Sequence, residues 1–392
     1  MQEEELAMLD LKSEDLIKIG PLIEEIFGNE LHKKRQLSLS NAAIGVLKSQ
    51  SLFLHAMGAG LAFVQGTQKK HATKQIDRLL SNKGIDIWEL SAQWVPYIVR
   101  EKSLIQVALD WTSFYDDEQL TLCLNILTSK GRSTPLLWRT VHKSQLKHNR
   151  ARYEDQMLSR LKEIIPAGLQ VMVVADRGFA DKKFFQFISE ELNFNYVIRI
   201  KSSTTITNEK GESRKASAWL RTDGHALRME KVLLTQENYE VKNVVIVKDK
   251  EMKSGWFLVS NTEMKTREMI NTYARRWKIE PYFRDVKDEH FGYGLYKTHI
   301  KSAERRDRLL LIVAISYVLL TLLGQAGEQI GFDRMLKVNT VKTRTHSLFR
   351  QGQFYYEFFE RFSKGQQQQL LTEFQEVLEK QGFWLNFFDL IK

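Results

Sequence analysis

The chain has 392 residues, of which 43% are hydrophobic and 27% charged, a balance that excludes a disordered or collagen-like protein. Its formal net charge of +10 favours an anionic partner, although charge alone does not identify that partner as nucleic acid. The single cysteine, Cys123, excludes an internal disulfide framework and any metal site built from several cysteines.

Two segments of the sequence, one acidic and one strongly apolar, indicate where in the cell the protein is found. The first five residues, MQEEE, are acidic where a secretory signal is basic and then apolar. Residues 309–324, LLLIVAISYVLLTLLG, are the one segment that suggests a membrane span. The segment falls short of the ~20 residues that a span needs, and a helix buried in a protein core has the same composition. We therefore expect a buried helix and a cytoplasmic, nucleoid-associated protein.

The first hundred residues have the apolar spacing of helices, over residues 9–27, 42–54 and 73–80. Acidic side chains dominate residues 1–30, and basic ones follow. A basic helical stretch suits phosphate contacts and a helix laid in the major groove of DNA, and a solvated charged face explains the same pattern. The basic residues that we consider for DNA binding are Lys69, Lys70, Lys74 and Arg78.

From residue 101 the pattern changes to that of a mixed α/β sheet. Three hairpin-linked strands are followed by strand–helix units, with turns at Asp116, Asp117 and Gly131. Residues 202–260 are polar and β-rich, and the chain is helical after residue 262. The predicted strands are 103–114, 120–130, 133–141, 169–175, 195–200, 244–247 and 256–260, and the predicted helices between them are 153–165 and 182–192.

Two aspartates follow apolar strands of this predicted sheet. Asp110 comes after residues 105–109, and Asp176 after residues 171–175. In open α/β sheets ligands bind at the carboxyl ends of the strands. A two-metal phosphoryl-transfer site needs carboxylates from separate elements, because hard divalent cations take oxygen ligands. For either aspartate alone, a helix cap or a turn residue is the commoner explanation.

Four polar residues follow a helical spacing further along the chain. On a continuous helix Tyr273, Arg276, Glu280 and Lys287 fall within about 60° of one another. A phenol, a guanidinium, a carboxylate and an ammonium on one face suit a metal-bound phosphodiester. A salt-bridged surface helix, with Arg276 and Glu280 as an i,i+4 pair, has the same spacing. Pro281 allows a kink or a new helix start at this point.

These residues match the pattern Y-x2-R-x3-E-x6-K at all four positions. The pattern resembles the signature of bacterial insertion-sequence transposases with a DDE triad and an RNase-H-like catalytic domain. Within them the chain looks closest to the transposon-ten branch, relatives of the transposon-five enzyme. The resemblance covers roughly residues 40–350 and extends to the segments IDRLL (76–80), VADRGF (174–179), IEPYFRDVK (279–287), SAERRD (302–307) and NTVKTR (339–344).

The resemblance implies a role for each matching residue. Asp110, Asp176 and Glu280 would hold two Mg²⁺ ions, with Mn²⁺ as a substitute, for attack on phosphodiesters. Tyr273, Arg276 and Lys287 would contact backbone phosphates. Trp256 would stack on a flipped base, and a buried strand tryptophan is the alternative. Such enzymes cut double-stranded DNA at inverted-repeat ends through hairpin intermediates, join the ends to target DNA, and act as homodimers without a nucleotide cofactor.

The predicted organisation has three parts. Residues 1–100 form a helical region that binds the DNA end, residues 101–324 an RNase-H-like α/β domain with a β-rich insertion at 202–260, and residues 325–392 a helical C-terminal region. Two other functions stay open: a transposase-derived DNA-binding protein without catalysis, and a structure-specific nuclease on the same fold. Trp111 and Thr112 follow Asp110, and two roles stay open for them: lining the site, and packing, which is the commoner role at such positions. We assign the neighbouring carboxylates to solvated turns or helix faces; these are Asp116, Asp117, Asp181, Asp285 and Glu289.

Overall fold

A computed structural model describes residues 11–100, 102–114, 118–128, 132–235, 238–250 and 252–381. Asp116, Asp117, Gly131 and the end of the strand predicted at 120–130 lie outside these residues. The described chain consists of an N-terminal group of helices, a ten-stranded sheet with its own helices, and a C-terminal group of helices.

The described part of the N-terminal region, from residue 11 to residue 100, contains six helices, in line with the helical spacing of its apolar residues. The predicted helix 42–54 is wrong in its second half, because Gln50 takes a left-handed backbone conformation with φ 49° and ends α3. Helix α5 is amphipathic, burying Ile76 and Leu79 against its neighbours. The helices are α1 (Ser13–Leu16), α2 (Ile19–Phe27), α3 (Lys33–Ser49), α4 (Leu54–Gln65), α5 (Lys69–Ser81) and α6 (Ile87–Val99).

The first half of the sheet is an antiparallel meander joined to two parallel strands. Strand β2 pairs antiparallel with β1 on one side and with β3 on the other, whereas β4 pairs parallel with both β1 and β5. The crossover elements are α7 (Lys143–Leu146), α8 (Arg150–Ile164), α9 (Lys182–Gln186) and a π-helical turn (Phe187–Glu191). The strands are β1 (Leu104–Thr112), β2 (Gln119–Ile126), β3 (Thr134–His142), β4 (Gln170–Ala175) and β5 (Asn195–Arg199).

The segment predicted as a β-rich insertion extends this same sheet. Strand β10 pairs with β5, and the other strands follow outward, so that the full order is β3-β2-β1-β4-β5-β10-β9-β8-β6-β7. A large mixed sheet with many helices confirms the α/β class, and it is consistent with an RNase-H-like domain. The strands are β6 (Thr205–Thr207), β7 (Ser213–Lys215), β8 (Leu227–Leu234), β9 (Tyr239–Val247) and β10 (Trp256–Ser260).

The apolar segment 309–324 lies in a long buried helix, as predicted. Helix α12 (Ala303–Gln329) has the length and hydropathy of a membrane span, but 89% of its most apolar window is buried inside the protein. Gly324 and Gly352 let α12 and α13 (Leu348–Phe358) pack closely, because a Cβ atom at either would meet backbone of the other helix. The helical chain continues through α10 (Thr266–Ala274) and α11 (Ile279–Lys287) before it, and α14 (Lys364–Lys380) after it.

The start of α12 joins the N-terminal helices to the sheet. Arg305 forms an ion pair with Asp77 of α5 at 2.6 Å, and Arg308 donates to two backbone carbonyls of the N-terminal region. Asp307 points to the sheet instead, where its carboxyl is shielded from water and accepts a 3.0 Å hydrogen bond from the backbone N–H of Thr140. The SAERRD segment therefore has a structural role at this junction.

Candidate active site

The two strand-end aspartates are neighbours because of the parallel register of β1 and β4. Leu109 lies opposite Ala175, so Asp110 and Asp176 are the next residues on adjacent strands. Strand β1 continues to Thr112, which places Asp110 inside the strand and two residues before its end rather than after it. Asp176 directly follows β4. We refer to the sheet edge at which β1 and β4 end as the carboxylate edge.

A buried arginine connects the aspartate of β1 to Glu280. Arg276 donates from one terminal nitrogen to Asp110 Oδ2 at 3.3 Å and from the other to Glu280 Oε1 at 3.4 Å. The side chain of Arg276 is 6% exposed, whereas that of Glu280 is 49% exposed. Burial raises the pKa of Asp110, and the charge of Arg276 opposes that shift. Within the described chain the Nε atom of Arg276 is buried without a hydrogen-bond acceptor.

Tyr273 and Arg199 contact Asp176 on the other side of the cluster. The hydroxyl of Tyr273 donates to Asp176 Oδ1 at 3.0 Å, and burial next to this carboxylate raises the pKa of Tyr273 to about 12. A guanidinium nitrogen of Arg199 lies 3.8 Å from the same oxygen. Our sequence reasoning missed Arg199, although it ends β5 and the strand-end rule that selected the aspartates also selects it.

Trp256 lies beside this tyrosine at the same sheet edge. Its half-buried indole packs edge to face on the ring of Tyr273, with the centroids 4.9 Å apart. Trp256 begins β10, which runs antiparallel to β5, so its position follows from the strand order. One side of the indole is thus fixed by packing, and the side chain stays within reach of the carboxylate edge.

Lys287 reaches the strand of Asp110 rather than that of Asp176. Its ammonium donates to the hydroxyl of Thr112 at 2.7 Å and lies 5.4 Å and 5.3 Å from the ring centroids of Phe114 and Phe283. Burial lowers the pKa of Lys287, and the nearby charge of Asp110 partly offsets this. Of the two roles that the sequence leaves open for Thr112, this contact with Lys287 favours lining the site.

The continuous helix assumed for residues 273–287 is wrong. Helix α10 ends at Ala274, a 3₁₀ segment covers Arg275–Lys278, and α11 begins at Ile279. Pro281 lies in the first turn of α11, where a backbone N–H has no intrahelical acceptor. Each residue turns by about 120° around the axis of a 3₁₀ helix, compared with about 100° in an α-helix. The four residues of the 3₁₀ segment therefore rotate α11 by roughly 80° relative to its orientation in a continuous α-helix. With this rotation the four signature residues still fall within roughly 80° of one another. They contact two adjacent strands: Tyr273 bonds to Asp176 after β4, and Arg276 and Lys287 bond to residues of β1.

The remaining predicted residues lie at varied distances from this cluster. The four basic residues of α5 are exposed, and none contacts the carboxylates; they are Lys69, Lys70, Lys74 and Arg78. Asp181 caps α9 in a turn, as assigned. The assignment of Asp285 to a solvated face is wrong, because its carboxylate is buried, pairs with Arg132 and accepts a hydrogen bond from Tyr317. Burial raises the pKa of Asp285 to about 6.

The donor set of the site suits a hard divalent cation. Asp110, Asp176 and Glu280 offer carboxylate oxygens from three separate elements, the chemistry that Mg²⁺ and Mn²⁺ prefer. Within the described residues no three acidic, histidine or cysteine side chains are close enough together to hold an ion. The guanidinium of Arg276 lies between the carboxylates of Asp110 and Glu280, where a shared metal ion would bind. Binding of such an ion therefore requires the half-exposed Glu280 side chain to rotate.

A mixed sheet with carboxylates, two arginines and a lysine at one edge defines a site suited to phosphoryl-transfer chemistry. Residues 136–319, a little under half of the chain, match the family model described as Transposase DDE domain. The matched segment contains Asp176, Glu280 and the residues around them, and Asp110 precedes it. This similarity supports a DDE transposase family, and with it DNA substrates and divalent metal ions. No curated protein matches the chain.

Proposed function

We propose that the protein is a cut-and-paste DNA transposase of the insertion-sequence kind, from the transposon-ten branch. The observation that carries the proposal is the contact of Asp110 and Glu280 with the buried Arg276, beside Asp176 on the adjacent strand. The enzyme would cleave the inverted-repeat ends of its element through hairpin intermediates and join them to target DNA. This work would take place on chromosomal DNA in the cytoplasm.

The three carboxylates are the proposed metal ligands. Asp110, Asp176 and Glu280 would hold two Mg²⁺ ions, or Mn²⁺ in their place. When bound, such ions activate a water or a 3′-hydroxyl for in-line attack and stabilise the leaving oxygen. The hydrogen bond from Tyr273 would then orient the Asp176 carboxylate, because it fixes one of the two carboxylate oxygens.

The basic residues of the site would bind the DNA backbone. Arg276 is the strongest candidate, because its buried Nε atom has no acceptor among the described residues and a phosphate oxygen would supply one. Lys287 would add a point charge on the β1 side, and the Tyr273 hydroxyl would donate to a phosphate oxygen on the β4 side in the steps in which it is not bonded to Asp176. Rotation of Glu280 toward an ion would free a second nitrogen of Arg276 for the same phosphate.

Trp256 is the proposed platform for a flipped base. Hairpin formation at a DNA end bends the backbone sharply, and removing one base from the stack relieves that strain. The indole is held by Tyr273 and has π-surface to offer a base. Trp256→Ala should therefore reduce hairpin formation more than the first nick, and Trp256→Phe should restore part of the loss. Equal loss of both steps would contradict the assignment.

The three-part organisation is also a proposal. Residues 1–100 would recognise the DNA end, with Lys69, Lys70, Lys74 and Arg78 on phosphates. Residues 101–324, including the insertion at 202–260, would carry the chemistry, and residues 325–392 would help to pair two ends in a homodimer. The exposure of the four basic side chains supports the first part.

The decisive experiment uses purified protein, Mg²⁺ and DNA that carries the ends of its own element. We expect nicks and hairpins from the unaltered protein. Glu280→Gln should abolish cleavage and leave end binding intact, whereas Glu268→Gln, on the exposed face of α10, should cleave normally. Cleavage by the Glu280→Gln protein would show that the third ligand is misassigned.

The same assay separates the two other functions. Binding without cleavage under either Mg²⁺ or Mn²⁺ would indicate a DNA-binding protein without catalysis. Cutting of branched DNA irrespective of its terminal sequence would indicate a structure-specific nuclease. Short inverted repeats bounded by direct duplications around the gene would independently favour the transposase.

A further inference from the structure

A strongly basic segment leaves the sheet at the carboxylate edge. Strands β1 and β3 both pair antiparallel with β2, so they run in the same direction and end at the same edge. His142 lies opposite Gln119 at the start of β2, close to the pair formed by Thr112 and Thr121. The chain that follows β3 therefore begins about two strand spacings, roughly 10 Å, across the sheet from Asp110 and four residues, roughly 13 Å, further along the strands, which gives a distance of roughly 17 Å.

This segment carries more positive charge than its carboxylate partners balance, because only Lys143 and Arg150 form ion pairs, with Glu118 and Glu154. Residues 142–153 read HKSQLKHNRARY, with four lysines and arginines, two histidines and no acidic residue. Lys147 and Arg152 are exposed, and neither pairs with a carboxylate in the part of the chain that the structure describes. His148 turns the chain between α7 and α8 in a left-handed conformation with φ 63°. The two free charges thus stand on a short, bent surface rather than along one helix.

Arg150 connects residues 142–153 to strand β1 and to the turn after β4. Its guanidinium lies 5.7 Å from the rings of both Trp111 and Phe179, which follow Asp110 and Asp176 by one and three residues. Buried Glu154 accepts hydrogen bonds from Arg150 at 2.9 Å and from the Trp111 indole at 2.7 Å. The start of α8 is therefore fixed relative to the carboxylates, on the β3 side of them.

A second basic stretch lies at the same edge on the other side. Strand β9 ends there, because Val247 pairs with Trp256 at the start of β10. Lys248 and Lys250 follow β9 and are exposed. Six strand spacings separate β3 from β9, roughly 29 Å at about 4.8 Å each. At about 3.4 Å per base pair this distance corresponds to roughly eight base pairs of duplex DNA.

We propose that residues 142–152 form a DNA-backbone surface distinct from the basic residues of α5. A duplex that lies across the carboxylate edge would contact Lys147 and Arg152 on the β3 side and Lys248 and Lys250 on the β9 side, with the scissile phosphate between them. The inference deepens the proposed function, since it rests on a DNA substrate at this site. The same backbone chemistry is offered by the element's end and by target DNA.

The test is the salt dependence of DNA binding by the double variant Lys147→Gln/Arg152→Gln. Each phosphate contact contributes about 0.9 to the slope of log affinity against log salt, so the slope should decrease by about 1.8. A matched control, Lys215→Gln/Lys242→Gln, removes the same charge from exposed residues of β7 and β9. Lys242 lies five residues before the end of β9, about 17 Å from the carboxylate edge, and the control slope should stay unchanged.

Binding is measured without metal on DNA with the element's end and on unrelated duplex, and cleavage and strand transfer are then measured with Mg²⁺. Weaker end binding with reduced cleavage would support contact with the element's end. Normal end cleavage with reduced strand transfer would support contact with target DNA. A slope equal to that of the unaltered protein, or an equal decrease in the control, would overturn the inference. A protein that binds no DNA at all would instead overturn the proposed function.

Discussion

Replacement of Asp307 by asparagine is expected to remove a large part of the pH dependence of folding stability. The carboxyl group is buried where α12 meets β3, and it accepts hydrogen bonds from the backbone N–H and the hydroxyl of Thr140. Burial raises the pKa of Asp307 to about 7, although the bonds from Thr140 and the charges of Arg139 and Arg306 act to lower it.

The sign of the effect follows from comparing the two states. In the unfolded chain this carboxyl has the ordinary pKa of 3.8, so between 3.8 and about 7 only the folded protein keeps the proton. The free energy of unfolding therefore decreases as the pH rises through this range, and the contribution is fully present below 3.8. At about 1.4 kcal/mol per pKa unit the whole effect is roughly 4 kcal/mol, of which about 2–3 kcal/mol falls between pH 5 and pH 8.

Urea denaturation at pH 5 and pH 8 measures this difference directly. Asparagine keeps an acceptor oxygen for Thr140 but does not ionise. The decrease in the free energy of unfolding from pH 5 to pH 8 should therefore be about 2–3 kcal/mol smaller for Asp307→Asn than for the unaltered protein. Asp249→Asn, in an exposed turn, is the control and should behave like the unaltered protein. If Asp307→Asn keeps the original pH dependence, the buried carboxyl does not hold a proton near neutral pH and the reasoning fails.

Two further predictions, one on helix packing and one on a buried hydrogen bond, are tested by urea denaturation midpoints at a single pH. Gly352→Ala should lower the free energy of unfolding by about 2 kcal/mol or more, because its Cβ would meet the backbone carbonyl of Leu320. Gly365→Ala is the control and should be neutral or stabilising, because it has open space around it. Similar midpoints for both variants would contradict the close helix contact. Tyr317→Phe should cost about 1–2 kcal/mol, because the buried hydroxyl donates to Asp285 at 3.1 Å, and an unchanged midpoint would show that this hydrogen bond contributes nothing.

The strands were the most predictable part of the fold. Each apolar run is short and ends at polar turn residues, and the strand predicted at 256–260 coincides with Trp256–Ser260. The neighbouring positions of Asp110 and Asp176 also follow from sequence, since a parallel sheet brings carboxyl ends together. The helix break at Arg275–Lys278 could not be located, because those residues include neither glycine nor proline and Pro281 comes three residues later.

Residues whose environment depends on distant partners were the least predictable. Asp285 has the sequence context of a solvated helix residue, yet its cation, Arg132, comes from the loop before β3 and its hydroxyl donor, Tyr317, from α12. Arg199 is a different case: its place at the end of β5 could have selected it as a site residue, although its distance to Asp176 depends on the pairing of β5 with β4. Local periodicity predicts which face of an element is apolar, but it does not predict which buried charges will meet across the fold.

The two outermost strands of the sheet limit how copies of this protein can associate. Outer strand β3 has part of its free backbone already engaged: Pro135 accepts a hydrogen bond from the Trp94 indole, and Thr140 donates to Asp307. At the other end, β7 is only three residues long and carries exposed Arg214 and Lys215. Short, charged or covered outer strands resist pairing with strands of other molecules. These features favour a paired complex on DNA that is built through helices, loops or the DNA itself over one in which the sheet continues across the interface.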